Sequence, residues 1–207
     1  MMKSVSKSAV AVAFGIAILF LAGCGGVSKS SRFYVLSPVG STENEKNMDL
    51  NDMGDITIGI SPVSLPKYMK KSQIVTRTGS NELHLAEFDR WAGKIQEDIG
   101  RVIAENLANM LSTDKVLSYP AIDVVDTDYT IEMDISRFEG SLGESVELIA
   151  RWAIFNIQGD TIKSVTSTRI HEQVKGGSYA DMVEAQSRAL AALSRELADA
   201  IVKLPIE

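Results

Sequence analysis

The 207-residue chain has one cysteine, Cys24, and it stands just beyond an uncharged apolar run from Ala9 to Ala22. A lone cysteine allows no intramolecular disulfide, so whatever folds downstream must be held by a hydrophobic core alone. The run is preceded by Met1-Met2-Lys3-Ser4-Val5-Ser6-Lys7-Ser8, which carries two lysines and no acid. A transmembrane helix needs about 20 apolar residues to cross a bilayer core of roughly 30 Å, and this run falls short. A basic start, a short apolar stretch and small residues at its end describe a secretory signal peptide, here residues 1–23.

The segment Leu21-Ala22-Gly23-Cys24 resembles the lipobox of bacterial lipoproteins. That resemblance implies cleavage before Cys24, acylation of its sulfur by a palmitate-like chain, and acylation of the new amino group. One acyl chain holds a protein only marginally, whereas two or more anchor it stably at about 0.8 kcal/mol per buried methylene. The ordinary reading of a lone cysteine is a small buried hydrophobe. A free thiol at the end of an export signal, however, would be a liability in an oxidising compartment. Gly25 and Gly26 follow the cysteine. In enteric bacteria an aspartate there favours inner-membrane retention, so by resemblance the glycines favour the periplasmic face of the outer membrane over the inner membrane.

Loss of residues 1–23 removes two lysines and moves the formal charge from −6 to about −8. A net acidic chain without a dense basic cluster is a poor nucleic-acid binder, and net charge would not draw it to an anionic membrane. The mature length suits one domain with a proper core. Residues 24–32 read as a lipidated, serine-rich tether and residues 33–205 as the domain. Residues 41–55 are polar and read as a solvated loop; there is no internal repeat.

Hydrophobic periodicity sets out the elements. Phe33 to Leu36 is a short β-prone run, and Asp55 to Ile60 alternates as a strand with one buried face would. Gln73 to Thr78 and Glu82 to Leu85 flank Gly79-Ser80-Asn81 and read as a hairpin. An apolar stripe through Ile95, Ile99, Val102, Ile103, Leu107 and Leu111 predicts a helix from about Asp89 to Leu111, with Trp91 near its start. Tyr129 to Phe138, Ser145 to Ile157 and Thr161 to Val174 are three long β segments with short links, expected as an antiparallel meander whose last strand is exposed or at an edge. Ser178 stands three residues before Asp181, which resembles a capping box, and a second stripe runs from Tyr179 to Leu204 until Pro205 stops it. The expected fold is α/β or α+β: a single domain with a mixed, largely antiparallel sheet packed by two long amphipathic helices.

The catalytic inventory is nearly empty. His84 and His171 lie about ninety residues apart, without a His or Cys at metal-ligand spacing. There is no G-x-S-x-G elbow, no H-E-x-x-H and no P-loop. Asp123, Asp126 and Asp128 cluster before a strand but lack the glycine and distal glutamate of an EF-hand, so they read as solvated loop acids. The expectation is a protein that is not an enzyme and has no catalytic residues, metal or cofactor beyond the covalent lipid on Cys24.

Beyond the lipobox, three features recur together. They are the Phe33-Tyr34-Val35-Leu36 strand, the segment Ile60-Ser61-Pro62-Val63-Ser64-Leu65-Pro66-Lys67-Tyr68-Met69, and the late strand with Trp152. Ile74-Val75-Thr76-Arg77, Glu87-Phe88-Asp89-Arg90-Trp91, Asn156 with Gly159, and a long helix closing at Leu204-Pro205 follow in order. From Phe33 to Pro205 this is similar to the ABC-type transport auxiliary lipoproteins, with Met69 standing where that family usually has leucine. The resemblance implies an α/β fold and a noncatalytic periplasmic partner of an MCE-type system that carries lipids or other hydrophobic molecules between inner and outer membranes. Its implied partners are an MCE-domain protein and ABC or membrane transporter subunits, with the lipoprotein arranged as a ring of identical copies. Tyr68 and Trp91 lie in the segments that carry the likeness; docking and ordinary packing both remain open for them. A periplasmic lipid carrier with its own acyl-chain cavity is the alternative, and an envelope hydrolase a third reading.

Overall fold

The structure, a computed structural model, describes residues 30–39, 56–156, 158 and 161–204. The lipobox residues Leu21, Ala22, Gly23 and Cys24, most of the tether, the 41–55 segment and Pro205 lie outside the described residues. Strands β1 (Arg32–Tyr34), β2 (Ile58–Ile60), β3 (Gln73–Gly79) and β4 (Glu82–Trp91) precede helix α1 (Ile95–Met110). Strand β5 (Val116–Ser118), a 3₁₀ turn at Ala121–Asp123, and strands β6 (Tyr129–Arg137), β7 (Ser145–Asn156) and β8 (Thr161–Gln173) then lead to helix α2 (Tyr179–Ile201). Two sheets result, ordered β1-β4-β3 and β5-β2-β6-β7-β8. The long pairs β3–β4, β6–β7 and β7–β8 are antiparallel, and the three-residue strands β1, β2 and β5 join them in parallel. The result is the mixed α+β domain that the periodicity predicts, with β8 at the edge of the larger sheet.

The meander forms because its alternation is nearly unbroken. Tyr129, Ile131, Met133 and Ile135 of β6 and Val146, Leu148, Ala150, Trp152 and Ile154 of β7 are all buried. They meet the apolar stripes of the two helices, including Ile99, Ile103, Leu107, Leu190, Leu193 and Leu197, each 0% exposed. Burying one such side chain is worth about 1.5–3 kcal/mol. Trp152 satisfies its indole N–H on Thr168 Oγ1 of β8 at 3.1 Å, and that hydroxyl in turn donates to Glu196 of α2. Ser178 and Asp181 complete the capping box at the start of α2, with Asp181 N donating to Ser178 Oγ at 3.2 Å.

Three expectations need correction. The first helix begins at Ile95, not at Asp89, because residues 89–91 complete β4: Asp89, Arg90 and Trp91 pair with Arg32, Phe33 and Tyr34 of β1. Trp91 therefore ends a strand, and Ala92-Gly93-Lys94 separates it from the helix. Strand β2 is buried on both faces, not one, because β5 and β6 flank it and Gly59 faces packed side chains. A Cβ there would lie 3.0 Å from Thr127 Cγ2 and 3.3 Å from Ile122 Cγ2. Strand β5 and the 3₁₀ turn were not anticipated, since three-residue elements are too short to show a period.

Helix α1 stops where expected. Ser112 turns into the left-handed region with φ of 52°, and Thr113 N donates to Ala108 O at 3.0 Å, closing the end in a Schellman arrangement. The chain after β1 is stitched across both helices. Leu36 N donates to Asp98 Oδ2 at 2.7 Å and Arg101 Nη2 to Leu36 O at 2.8 Å. Ser37 N donates to Ser187 Oγ at 3.2 Å, and Val39 N to Asn106 Oδ1 at 3.1 Å.

The two sheets meet at Phe138–Ser141. Arg77 N of β3 donates to Gly140 O at 2.9 Å, and Ser141 Oγ donates to Arg77 O at 2.8 Å. Gln186 Nε2 of α2 donates to Phe138 O at 2.7 Å. The Glu139 side chain, 1% exposed, accepts from Arg77 Nε at 3.1 Å, from Arg77 Nη2 and from the Tyr68 hydroxyl at 3.2 Å. A second buried carboxylate, Asp89, accepts from the Tyr34 hydroxyl at 2.7 Å and pairs with Arg32 Nε at 2.8 Å. Burial raises the phenol pKa of Tyr68, reinforced by the Glu139 charge; burial also raises that of Tyr34, reinforced by its hydrogen bond to Asp89.

Two measurements probe this junction. A Cβ on Gly140 would sit 2.1 Å from Ser145 O, so Gly140→Ala should cost at least about 1–3 kcal/mol in urea unfolding. Gly177→Ala, where a Cβ meets nothing within 4 Å, should be near neutral. The tyrosines give a pH signature. A raised folded-state pKa makes their contribution complete below the ordinary value of 10.0 and lost as pH climbs through the folded values. The urea midpoint of the wild type should therefore fall above pH 10.0, and more steeply than that of a Tyr34→Phe/Tyr68→Phe variant. Equal slopes would refute the assignment.

Candidate docking surfaces

The chemistry-bearing side chains are dispersed or already engaged. His84 is exposed on β4 opposite Thr76, and His171 is exposed on β8 opposite Glu147, so the structure brings neither to a shared centre. Among the described residues no three His, Cys, Asp or Glu side chains converge as a metal site would require. The loop acids do not form a cluster of that kind either. Asp128 instead ties β2 to β6, its Oδ2 accepting from Thr57 N at 2.7 Å. Glu139 and Asp89, the two most buried carboxylates, are both clamped by arginine and tyrosine, which suits them to joining elements rather than to proton transfer.

Tyr68 and Trp91 have packing roles. Tyr68 lies half-buried in the Lys67–Lys71 turn with its hydroxyl on Glu139. Trp91 is 7% exposed at the end of β4, its backbone N–H donating to Ser72 O at 2.7 Å. The structure separates them in role: one supports a turn, the other the end of a sheet. Trp91 does form part of a groove of about 460 Å³ that Tyr34, Val35, Lys94, Arg101 and Tyr119 also line.

Two other concavities open on the surface. A cleft of about 840 Å³ beside the junction is polar, with Arg77, Thr78, His84, Ser141, Glu144 and Tyr179 on its walls. A groove of about 760 Å³ crosses the side of the meander away from the helices, between Pro62, Glu132, Asp134, Arg151, Phe155 and Val165. Alternation puts Glu132 and Asp134 of β6 and Arg151 and Phe155 of β7 on this face, opposite the buried set. Arg151 pairs with Asp134 at 2.9 Å across the strands, while Val165 is 69% exposed. The face thus combines one well exposed valine, a partly exposed phenylalanine and one cross-strand ion pair.

The sequence did not disclose Glu139, Asp89, Gly140 or Asn106 as organising residues. The one available signal was the interruption Phe138-Glu139-Gly140 immediately after a regular alternation, which marks a strand ending on something specific.

Residues 34–198 match the family model described as ABC-type transport auxiliary lipoprotein component. The chain is 24% identical over 190 residues to the intermembrane transport lipoprotein PqiC of Escherichia coli K12, covering 92% of this chain and 96% of that one. The same figures hold for PqiC of Shigella flexneri. Among solved structures, a crystal structure of an uncharacterized protein superposes with a TM-score of 0.67 at 19% identity, over 84% of this chain and 99% of that one. Protein XCC0632 of Xanthomonas campestris gives 0.64 at 14% identity, over 81% and 93%. These two likenesses bear on the fold, and they agree with the α+β arrangement of strands and helices. The chain belongs to the ABC-type transport auxiliary lipoprotein family.

Proposed function

We propose that this protein is a lipid-anchored, noncatalytic docking component of a transport system that moves lipids or other hydrophobic molecules between two membranes. The observation that carries the reading is the family match from residue 34 to residue 198, which takes in both sheets and nearly all of both helices. The name of the PqiC relatives, an intermembrane transport lipoprotein, supports the two-membrane setting. Among the described residues no helix is long and apolar enough to cross a membrane; acyl chains on Cys24 are the proposed attachment. The outer membrane, facing the periplasm, is the proposed site.

Cargo carriage by this chain alone fits the interior less well. The space between sheet and helices is occupied by Ile99, Ile103, Leu107, Ile131, Ile135 and Leu190, all 0% exposed, where an acyl chain would need room. The partners in this reading are an MCE-domain protein and the ABC or membrane transporter subunits that work with it. A ring of identical copies would present the same face to such a partner from every subunit. Tyr68 and Trp91 contribute from beneath, holding the lysine turn and the end of β4, while the open face of β6–β8 offers the contact area.

The deciding experiment is photo-crosslinking in living cells, with the reactive group placed at Phe155 or Val165 and a Cys24→Ala form run in parallel. Capture of an MCE-domain or transporter component, weakened without the anchor, is the expected result. If no transporter component is recovered and native mass spectrometry finds one phospholipid per chain, the protein is a carrier and the docking reading fails.

A further inference from the structure

The end of the smaller sheet that receives the tether has a composition unlike the rest of the chain. Phe33 of β1 pairs with Arg90 of β4, which pairs with Gln73 of β3. Cross-strand partners share a face, and Asp89 and Trp91 are buried on the other one, so Phe33, Arg90 and Gln73 line the outward side. Just beyond the strand ends, Val35, Ala92 and Lys71 are also exposed, held beside one another by the bonds Ala92 N to Tyr34 O and Trp91 N to Ser72 O. Phe33 is 65% and Val35 55% exposed. Lys70 and Lys71 stand exposed on the turn entering β3. Arg90 Nε is buried and, among the described residues, lacks a hydrogen-bond partner.

We infer that this face lies against the phosphate headgroups of the membrane that holds the anchor, with Phe33 and Val35 at the interface and Lys70, Lys71 and Arg90 toward anionic lipid. The inference rests on the lipidation of Cys24. Two independent features select a bilayer as the occupant. The first is reach: eight peptide links separate Cys24 from Arg32, and a chain spans at most about 3.6 Å per residue, so β1 begins within about 30 Å of the lipid. The second is charge. The mature chain is net acidic, yet Arg32, Lys70, Lys71, Arg90 and Lys94 gather where the tether enters; of the acids at this end, Asp89, Glu97 and Asp98 are already paired with Arg32, Lys94 and Arg101, which leaves Glu87 as the exposed one beside them. An acyl anchor combined with a local basic patch and exposed apolar side chains is a recognised two-signal mode of membrane attachment. Net charge alone conceals this, because three of the acids at this end are taken up in ion pairs. The domain would then stand with its first sheet on the membrane rather than swing freely on the tether.

The test uses the full mature protein from solubilised envelopes, reconstituted into vesicles of phosphatidylcholine alone or with phosphatidylglycerol added. Amine acetylation read by mass spectrometry reports the accessibility of each lysine. Lys70 and Lys71 should be labelled about fivefold more slowly with phosphatidylglycerol present, the effect of about one lysine–surface interaction. Lys203, beyond the far end of α2, should be unchanged and doubles as a check on the fold. Phe33→Ser/Arg90→Gln should reduce the protection of both lysines, and Lys71→Gln, an exposed substitution that leaves the sheet intact, should reduce that of Lys70. Equal labelling of Lys70 and Lys71 in both vesicles overturns the inference. A photo-reactive group at Phe33 should capture lipid in cells; capture of a polypeptide instead overturns it by making the face a protein contact. The mass of the N-terminal peptide separates the two failures. An unlipidated Cys24 sinks the anchoring reading as well, whereas a lipidated Cys24 with unprotected lysines sinks only the orientation of this face.

Discussion

The fold depends on a carboxylate buried where its two sheets meet. Glu139 is 1% exposed and would be costly there as an isolated charge, since removing an ion from water without a partner costs several kcal/mol. It is tolerated because Arg77 approaches it with two nitrogens and Tyr68 with its hydroxyl. Those partners come from β3 and from the turn before it, so satisfying one charge aligns the smaller sheet with the end of β6. The backbone repeats the constraint. Gly140 bridges to Thr76 on one side and to Val146 on the other, and no side chain fits between them. Electrostatics and sterics therefore fix the same joint independently.

A second set of polar groups explains an oddity of the helices. Asn106 and Ser194 are 0% exposed within otherwise apolar stripes, and Ser187 is 5% exposed. Each would weaken a simple helix–helix interface. They are accounted for by the strand of chain that leaves β1 and lies across both helices, where its amides need acceptors. Asn106 serves the strap through its oxygen and reaches Ser194 Oγ through its nitrogen at 3.4 Å. Buried polar groups of this kind rarely improve stability over apolar ones, but they select one arrangement from several. Here they fix the path of residues 36–39 across the two helices.

The strong periodicities and the short strands β1 and β2 were legible; the parallel pairings of those short strands were not. The three meander strands, the hairpin around Ser80-Asn81 and the capping box at Ser178 follow from spacing alone, because each repeats over enough residues for one face to be identified. Strand β5 and the parallel additions of β1 and β2 escaped, since pairing of three residues is decided by distant neighbours and not by local pattern. The start of α1 was misplaced for a related reason. Asp89 and Trp91 have helix-compatible spacing with the residues that follow, but β1 claims them for a sheet. For the candidate surfaces, Tyr68 and Trp91 were noticed as aromatic. Their burial and the exposure of Phe33 and Val35 could be known only after β1 was placed beside β4.

The joint at Glu139 and the membrane-facing sheet are physically continuous. Tyr68 belongs to the same turn as Lys67, Lys70 and Lys71, and Met69 N closes that turn on Pro66 O at 3.0 Å. Met69 is buried below it, so the turn is held by one apolar side chain and one phenol. The lysines are therefore carried on a rigid support whose position is set by the buried carboxylate. On the other side of the sheet, Asp89 fixes Arg32 and Tyr34, the two ends of β1. Glu139 thus sets the turn that carries the lysines through Tyr68, while Asp89 fixes β1 through Arg32 and Tyr34 on the inner face. The placement of β1 therefore fixes the orientation of the meander, because β1, β4, β3 and the Phe138–Ser141 joint are linked by continuous backbone pairing.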